Sequence, residues 1–445
     1  MATTSYDLVI AGGRIVTPAG IGRADIGVRD GRIAAIGDLA RADAGARIDA
    51  RGLHVLPGVI DTQVHFREPG KEHKEDLETG SRAAVLGGVT AVFEMPNTSP
   101  PTTTAEALAD KLARARGRMW CDHAFYIGAA AENADELGEL ERLEGVAGVK
   151  IFMGSSTGSL LVPDDPTLER VLRATRRRVA VHAEDETRLD ARRDRIRPGD
   201  PSSHPVWRDE ETALAATRRI VALAERLRRR IHVLHVTTAE EMAFLAAHKE
   251  WASVEVTPQH LTLAAPGCYR RLGSFAQMNP PIRGRRHRAA LWRAVAAGIV
   301  DVVGSDHAPH TREEKARPYP QSPSGMPGVQ TLLPLLLDHH ARGRLSLLRL
   351  VDLTSAGAAR LFGLLGKGRI AVGFDADFTI VDLKARWTIA EDWLASRCGW
   401  SPFAGMTVTG RPVGTIIRGR RVMWETELLG PPQGEPLRFA EAVPA

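Results

Sequence analysis

Residues 54 to 365 alternate short apolar runs with longer amphipathic stretches, and this alternation limits the possible folds more than any other feature of the chain. The apolar runs are VTAVFEMP, DHAFYIGAA, GVKIFMG, VAVHAED, IHVLHVTT, SVEVTP and VDVVGSDHAP. The amphipathic stretches between them include residues 105–116, 209–227 and 286–298. Such alternation predicts an α/β fold with a parallel sheet, and its length suits a (β/α)8 TIM-type barrel.

A doubly wound open sheet is the alternative fold. Such sheets usually carry a glycine-rich phosphate-binding loop after the first strand. Neither GxGxxG nor GxxxxGKS/T follows the first predicted strand here, so the barrel is favoured.

The two ends of the chain have a different pattern. Residues 6–53 contain short β-like runs separated by tight turns, and the β-like pattern returns after about residue 366. We therefore predict one small β-sandwich-like domain from residues 1–53 and 366–445, interrupted by a barrel domain of residues 54–365.

Composition narrows the class of protein. The 445 residues carry a net charge of +5, and clusters such as RVLRATRRR and RLRRR read as solvated helix faces, because no aromatic or recognition motif for nucleic acid accompanies them. No apolar run is long enough to span a bilayer, and the N-terminus lacks a secretory pattern. Three widely spaced cysteines, Cys121, Cys268 and Cys398, indicate no disulfide framework, so we predict a cytoplasmic protein.

Polar side chains of the metal-ligand or acid–base type lie at the ends of five predicted strands: His65, Lys150, His182, His235 and Asp306. Barrel enzymes place their catalytic groups at the C-terminal ends of the strands. Imidazole and carboxylate ligands suit Zn²⁺ or a similar divalent ion. A lysine ammonium has no lone pair, so Lys150 is either a charge partner or a carboxylated, anionic ligand. His260 is also near a strand end, where a structural hydrogen-bonding role is favoured.

The segment DTQVHFREPG, residues 61–70, adds a row of polar residues. If it is a strand, alternation directs Asp61, Gln63, His65 and Arg67 to one face. The planar guanidinium of Arg67 suits a carboxylate. The alternative for Arg67 is a structural ion pair with Glu68 or Glu72.

The order of these motifs resembles the amidohydrolase superfamily and, within it, the dihydroorotases. The segments that carry the resemblance are HFREPG, EMPNT, VKIFMGSSTG, VHAEDE, LHVTT, NPPIRG, SDHAPHTREEK, PSGMPGVQTLLPLLL and GKGRIAVGFDADFTIVD. HFREPG and SDHAPH are the more specific of these, and the match runs over nearly the whole chain.

The resemblance implies a role for each matching residue. His65 would bind one zinc ion, a carboxylated Lys150 would bridge two ions, and His182 and His235 would bind the second. Asp306 would bind the first ion and act as general base and then general acid. The residues that would hold the substrate are Arg67, Asn97, Asn279 and His310.

The implied reaction is the reversible hydrolysis of the cyclic amide of dihydroorotate to carbamoyl-aspartate, a step of pyrimidine biosynthesis. A metal-bound water, activated by the ion, would attack the ring carbonyl. An enzyme for another cyclic ureide is the alternative. Neutral rings such as hydantoins or allantoin, however, offer Arg67 no carboxylate to bind. The protein is expected to form homo-oligomers.

Gln63 departs from the family pattern. The resemblance implies His-x-His at this strand, where this chain has Gln63-Val64-His65. Three outcomes are open: a two-ion centre with a weakened first ion, one ion on Lys150, His182 and His235, or an inactive scaffold associated with aspartate transcarbamoylase. Since every other site residue is present, we favour retained chemistry.

Overall fold

The computed structural model describes residues 5–156 and 160–440. Thr157 and Gly158, which end the VKIFMGSSTG motif, lie outside the described residues. The strands are β1 (Tyr6–Ala11), β2 (Arg14–Thr17), β3 (Gly20–Arg23), β4 (Asp25–Arg29), β5 (Arg32–Gly37), β6 (Ala44–Asp49), β7 (His54–Pro57), β8 (Val59–Val64), β9 (Val89–Glu94), β10 (Asp122–Gly128), β11 (Val146–Phe152), β12 (Val179–His182), β13 (Ile231–Val233), β14 (Ala252–Val256), β15 (Val302–Val303), β16 (Phe378–Thr388), β17 (Thr407–Ile417), β18 (Arg420–Trp424) and β19 (Glu427–Leu428).

The helices lie mainly between the strands of the central region. They are α1 (Leu77–Leu86), α2 (Ala105–Ala115), α3 (Leu137–Leu140), α4 (Asp165–Ala174), α5 (Glu186–Ala191), α6 (His204–Trp207), α7 (Glu210–Arg226), α8 (Ala239–Ala246), α9 (Pro258–Thr262), α10 (Gly267–Leu272), α11 (Arg285–Ala296), α12 (Arg312–Lys315), α13 (Leu332–Ala341), α14 (Leu347–Val351) and α15 (Gly357–Phe362). Among the described residues, none of these helices has both the length and the apolar character needed to cross a membrane.

Strands β8 to β15 form one parallel sheet in which each strand pairs with its neighbour in sequence. The sheet curves round until Val64, at the end of β8, forms a parallel bridge with His307, just beyond β15. The N–H of His65 donates to the carbonyl oxygen of His307 at 2.7 Å. The predicted (β/α)8 barrel is therefore confirmed.

Capping side chains and amphipathic faces explain where the barrel helices begin and how they pack. Thr104 accepts a hydrogen bond from the N–H of Ala107 at the start of α2, and Asp209 accepts one from Thr212 at the start of α7. Each cap satisfies a backbone donor that would otherwise have no partner. The buried faces of these helices join the apolar cluster that surrounds the barrel.

Apolar side chains, together with a few buried polar ones, fill the inside of the barrel below the ends of the strands. Phe93 contacts Tyr126 and Phe362 edge to face, with ring centroids 6.2 and 5.1 Å apart. This packed interior closes the barrel from below, so that polar side chains at the C-terminal ends of the strands face a cleft and not a pore.

Strands from both ends of the chain form two further sheets. One has the order β5-β4-β1-β6, and the other has the order β19-β18-β17-β16-β7-β2-β3. Residues of both sheets, such as Ile10 and Ile26 from the first and Phe378 and Ile416 from the second, share one apolar core. The division of domains at residues 54 and 366 stays a prediction.

A buried ion cluster joins β10 of the barrel to the C-terminal segment. The ammonium of Lys367 lies 2.8 Å from Asp122 and 3.2 Å from Asp375, and it also pairs with Asp377. Burial alone would lower the pKa of Lys367, but the three carboxylates raise it above its usual range. The charge at this position is therefore needed to balance buried carboxylates.

We expect Lys367→Met to lower the free energy of unfolding by about 3–5 kcal/mol, because it leaves buried carboxylates without their cation. Lys384→Met, an exposed lysine on β16, is the matched control. Thermal unfolding followed by circular dichroism measures both. Equal midpoints for the two variants would show that the cluster does not stabilise the fold.

Candidate metal centre and substrate cleft

A cleft of about 350 Å³ opens at the C-terminal ends of the barrel strands. It is lined by Gln63, His65, Arg67, Asn97, Lys150, Phe152, Ser156, His182, His235, Asn279, Asp306, Ala308, Ser324 and Gly325. Each residue predicted for the site, except His310, is in this lining. Their roles stay predictions, but the structure brings them to one place.

His182 and His235 stand together on neighbouring strands. Nδ1 of His182 lies 3.0 Å from Nε2 of His235, while Nε2 of His182 lies 2.9 Å from the carboxylate of Glu184. Burial lowers the pKa of both imidazoles, so they are neutral. Glu184 accepts the Nε2–H of His182, so Nδ1 of His182 carries no proton. Its lone pair lies on the side of His235 and can serve as a metal ligand.

Glu184 is held in place by Arg208. The two side chains form a buried ion pair at 2.6 Å. Although burial alone would raise the pKa of Glu184, Arg208 and His182 hold it below its usual range. An ionised Glu184 therefore fixes the tautomer and the orientation of His182.

Lys150 is wholly buried at the base of the cleft. Its ammonium nitrogen has no hydrogen-bond partner among the described residues and lies 4.4 Å from the centroid of the Phe152 ring. Burial lowers the pKa of Lys150 to about 7. The neutral amine is therefore accessible near neutral pH, and it is this form that can react with CO₂ to give a carbamate.

Gln63, His65 and Asp306 meet at the opposite side of the cleft. Oδ1 of Asp306 lies 3.1 Å from Nε2 of Gln63 and 3.2 Å from Nε2 of His65, and Nδ1 of His65 lies 2.7 Å from Oδ1 of Asn97. Because a carboxylate only accepts hydrogen bonds, the amide nitrogen of Gln63 is the atom that faces it. Oε1 of Gln63 is buried and has no partner in residues 5–156 or 160–440.

Arg67 reaches the cleft by a route that strand alternation does not describe. Strand β8 ends at Val64, and Arg67 has a left-handed backbone with φ of 66°. The expectation that a continuous strand directs Asp61 to Arg67 to one face is wrong beyond Val64. His235 and Asp306 also have positive φ, 38° and 44°, a conformation that non-glycine residues adopt rarely and often at functional sites.

The guanidinium of Arg67 is fixed from behind. Its Nε–H donates to the carbonyl oxygen of Pro309 at 3.1 Å, and Nη2 lies 3.2 Å from Nε2 of His310. Burial lowers the pKa of Arg67 to about 10, which leaves it charged at neutral pH. Lys74 lies 3.1 Å from Nδ1 of His310, and its own charge is paired with Glu314 at 3.0 Å.

The alternative ion pairs for Arg67 do not form. The carboxylate of Glu68 pairs with Arg118 at 2.7 Å, and Glu72 accepts the N–H of Gly70. Neither Glu68 nor Glu72 therefore neutralises the guanidinium of Arg67 in the cleft.

Asn279 and His260 complete the account of the predicted residues. The side-chain nitrogen of Asn279 lies 3.4 Å from the hydroxyl of Ser156, and its oxygen accepts from Nε2 of His204 at 2.9 Å. His260 is buried outside the cleft lining, and its Nε2–H donates to the carbonyl oxygen of Pro280 at 3.1 Å. These contacts fit the structural role favoured for His260, which stays a prediction.

Two acids lie beneath the cleft: Asp61, which the sequence placed in the polar row with Gln63 and His65, and Glu255, which the sequence did not indicate. Asp61 accepts the N–H of Ser305 at 2.9 Å, and Glu255 accepts the hydroxyl of Thr62 at 2.7 Å. Burial raises the pKa of Asp61 to about 7 and that of Glu255 to about 8. Asp61 therefore supports the loop that carries Asp306 and does not line the cleft.

The described donors form two pairs, and Lys150 lies in the same cleft as a candidate further ligand. Within residues 5–156 and 160–440, no three His, Cys, Asp or Glu side chains are grouped as a metal site. His182 with His235, and His65 with Asp306, each supply two ligands. A carboxylated Lys150 would add a further anionic oxygen ligand beside each pair, and its buried amine, without a hydrogen-bond partner among the described residues, fits that group.

Comparison with known proteins agrees with this fold. The model of the Amidohydrolase family matches residues 54–422, and that of the Urease alpha-subunit, N-terminal domain, matches residues 1–52. A dihydroorotase of Halobacterium salinarum is 41% identical over 387 residues, 86% of this chain and 89% of its own. An allantoinase of Rubrobacter xylanophilus is 38% identical over 98% of both chains.

Solved structures give the same result. An L-hydantoinase (dihydropyrimidinase) from Arthrobacter aurescens superposes with a TM-score of 0.92 at 31% identity, over 97% of this chain and 99% of its own. A D-hydantoinase superposes with a TM-score of 0.88 at 29% identity. The chain therefore belongs to the amidohydrolase family and is a cyclic amidohydrolase.

Proposed function

We propose that this protein is a zinc-dependent dihydroorotase, which opens the ring of L-dihydroorotate to N-carbamoyl-L-aspartate and closes it again. The observation that carries this proposal is Arg67, a buried guanidinium that lines the cleft and contacts Pro309 and His310. It forms no ion pair with a carboxylate of residues 5–156 or 160–440. Such a group suits a substrate carboxylate. Dihydroorotate has one, whereas allantoin and unsubstituted hydantoin do not.

Substrate binding follows from the positions of the polar residues. Arg67 binds the carboxylate, and Asn97 and Asn279, which also line the cleft, offer amide groups to the carboxylate and the ring. His310 is buried behind Arg67 and outside the cleft lining. Its role in this proposal is to orient Arg67 rather than to touch the substrate.

Asp306 carries the proton in the proposed reaction. When bound, the metal ion would lower the pKa of a water molecule and polarise the ring carbonyl. Oδ1 of Asp306 faces Gln63 and His65, the side on which an ion would be held, and Oδ2 is proposed to take the proton of the attacking water. As the carbon–nitrogen bond breaks, Asp306 returns this proton to the leaving ring nitrogen, so that water is added across the amide.

Zinc, as one or two ions, is the proposed cofactor, and Lys150 is proposed to be carboxylated. His182 and His235 would hold one ion together with Lys150, whereas His65 and Asp306 would hold the other. Gln63 weakens the second of these positions, because an amide oxygen is a poorer ligand for zinc than an imidazole. The retained residues support an active enzyme over the inactive scaffold.

The protein is further proposed to act in the cytoplasm and to form homo-oligomers. Association with aspartate transcarbamoylase is the partner proposal, and co-purification of the two proteins would test it. A complex that contains the chain without metal would support the scaffold role instead.

A substrate panel tests the proposed reaction. Purified protein, supplied with zinc and bicarbonate, is assayed with dihydroorotate, carbamoyl-aspartate, hydantoin and allantoin. We expect turnover of the first two and at least about 100-fold lower kcat/KM for the neutral rings, because burying a charged group without its partner is costly. Faster turnover of allantoin or hydantoin would move the assignment to another cyclic ureide, and no turnover at all would favour the scaffold.

Arg67→Met is expected to lower kcat/KM for dihydroorotate by about 100-fold, since hydrogen bonds to charged groups contribute roughly 1.5–3 kcal/mol each. The same change should alter any residual turnover of hydantoin by less than about threefold. Arg116→Met, an exposed arginine, is the control. Equal losses on the anionic and neutral substrates would contradict the assigned role of Arg67.

Gln63→His is expected to increase zinc binding by one ion per chain, or to tighten the weaker ion at least about 10-fold, because it supplies an imidazole beside His65. Zinc content after dialysis measures this directly. Gln321→His, which adds a histidine at an exposed position, controls for adventitious binding. If Gln63→His binds no more zinc than the wild type, the ion position at His65 and Asp306 does not depend on residue 63.

A further inference from the structure

We propose that Glu75 is a positioning residue for the reaction, and that it fixes the loop of Asp306 through His307 while it binds a segment from the C-terminal part of the chain. The segment, Leu394–Trp400, lies between β16 and β17 and is called the C-terminal clamp below. This inference rests on the proposed role of Asp306. Neither Glu75 nor the clamp contributes to the cleft lining.

Glu75 is a buried carboxylate surrounded by donors. Oε2 accepts from Nε2 of His307 at 3.3 Å and from the hydroxyl of Ser396, and Oε1 accepts from the N–H of Arg397 at 3.1 Å and from the hydroxyl of Thr79. A carboxylate has about four acceptor sites. These four donors therefore use its full capacity, and two of them come from the clamp.

The tautomer of His307 is determined by its surroundings. Nδ1 accepts from the backbone N–H groups of Gly328 at 3.1 Å and Val329 at 3.3 Å, so Nδ1 carries no proton. The proton is on Nε2 and is donated to Glu75. The ring also packs edge to face on Phe66, with centroids 5.7 Å apart. His307 is thus held on three sides, next to Asp306 in sequence.

The backbone of His307 transmits this anchoring to the site. Its carbonyl oxygen accepts the N–H of His65, and its N–H donates to the hydroxyl of Ser305 at 3.1 Å. Asp306, between these two anchored residues, has a left-handed backbone that needs support from its surroundings. A shift of His307 would therefore move both Asp306 and His65.

The clamp contacts the same end of the barrel at further points. The indole N–H of Trp400 donates to the carbonyl oxygen of His310 at 2.8 Å, and Arg397 pairs with Asp76. The N–H of Ala395 donates to Gln330 at 2.9 Å. The clamp therefore joins the loop after β8, the loop after β15 and the residues before α13.

Ser396→Ala tests the proposal, because it removes one donor from Glu75 and leaves the rest of the clamp unchanged. We expect kcat to fall by about 10-fold with KM changed less than about threefold, since a small misplacement of a catalytic group has large effects. Glu75→Gln, which turns an acceptor into a donor facing two donors, is expected to lower kcat by about 100-fold. Ser401→Ala, a hydroxyl of the neighbouring turn that does not touch Glu75, is the control.

Hydrogen–deuterium exchange gives a readout that does not need activity. In Ser396→Ala, peptides covering residues 304–310 should exchange at least about fivefold faster than in the wild type, while peptides from β10 to β12 keep their rates. Wild-type exchange and wild-type kcat in both Ser396→Ala and Glu75→Gln would overturn the proposal. If the wild type itself turns over none of the substrates, the proposed function fails, and exchange still decides the role of Glu75.

Discussion

The closure of the barrel between β8 and the segment after β15 is the interaction on which the site depends. The hydrogen bond from the N–H of His65 to the carbonyl oxygen of His307 joins the first strand to the last, and Asp61 binds the N–H of Ser305 beneath it. Without this closure, Asp306 would not lie within reach of Gln63 and His65. The catalytic geometry is therefore a consequence of the way the sheet closes, and the apolar interior around Phe93 and Phe362 supports it from below.

The cleft buries two basic side chains, Lys150 and Arg67, and burying a basic group costs free energy. Lys150 has no polar partner among the described residues, and its buried amine has a depressed pKa. At the far end, the charge of Arg67 is retained although the side chain is buried. A substrate carboxylate would neutralise the buried charge of Arg67, and carboxylation would convert the partnerless amine of Lys150 into an anionic ligand. The proposal of an anionic cyclic amide as substrate rests on this arrangement.

Most barrel elements were predictable from the sequence, because their apolar residues recur with the period of a strand or a helix. The stretches 105–116, 209–227 and 286–298 predicted helices, and α2, α7 and α11 occupy them to within two residues. Strand-end polarity brought together the five residues from His65 to Asp306.

Glu184 was missed, although it follows His182 by two residues, because a carboxylate in an apolar run gave no sign of its contact with the imidazole. Arg67 lies three residues beyond the end of β8, where strand alternation carries no information. Glu75 and Ser396 are more than 300 residues apart, so only the fold reveals their contact.

A crystal structure of the zinc-loaded protein with bound carbamoyl-aspartate would test the account most directly. We expect zinc on His182, His235 and a carboxylated Lys150. One carboxylate of carbamoyl-aspartate should lie on Arg67, and Asp306 should lie beside the other carboxylate, which forms the ring amide. A ligand bound with its carboxylates away from Arg67, or an unmodified Lys150 with no zinc between the two histidines, would contradict it.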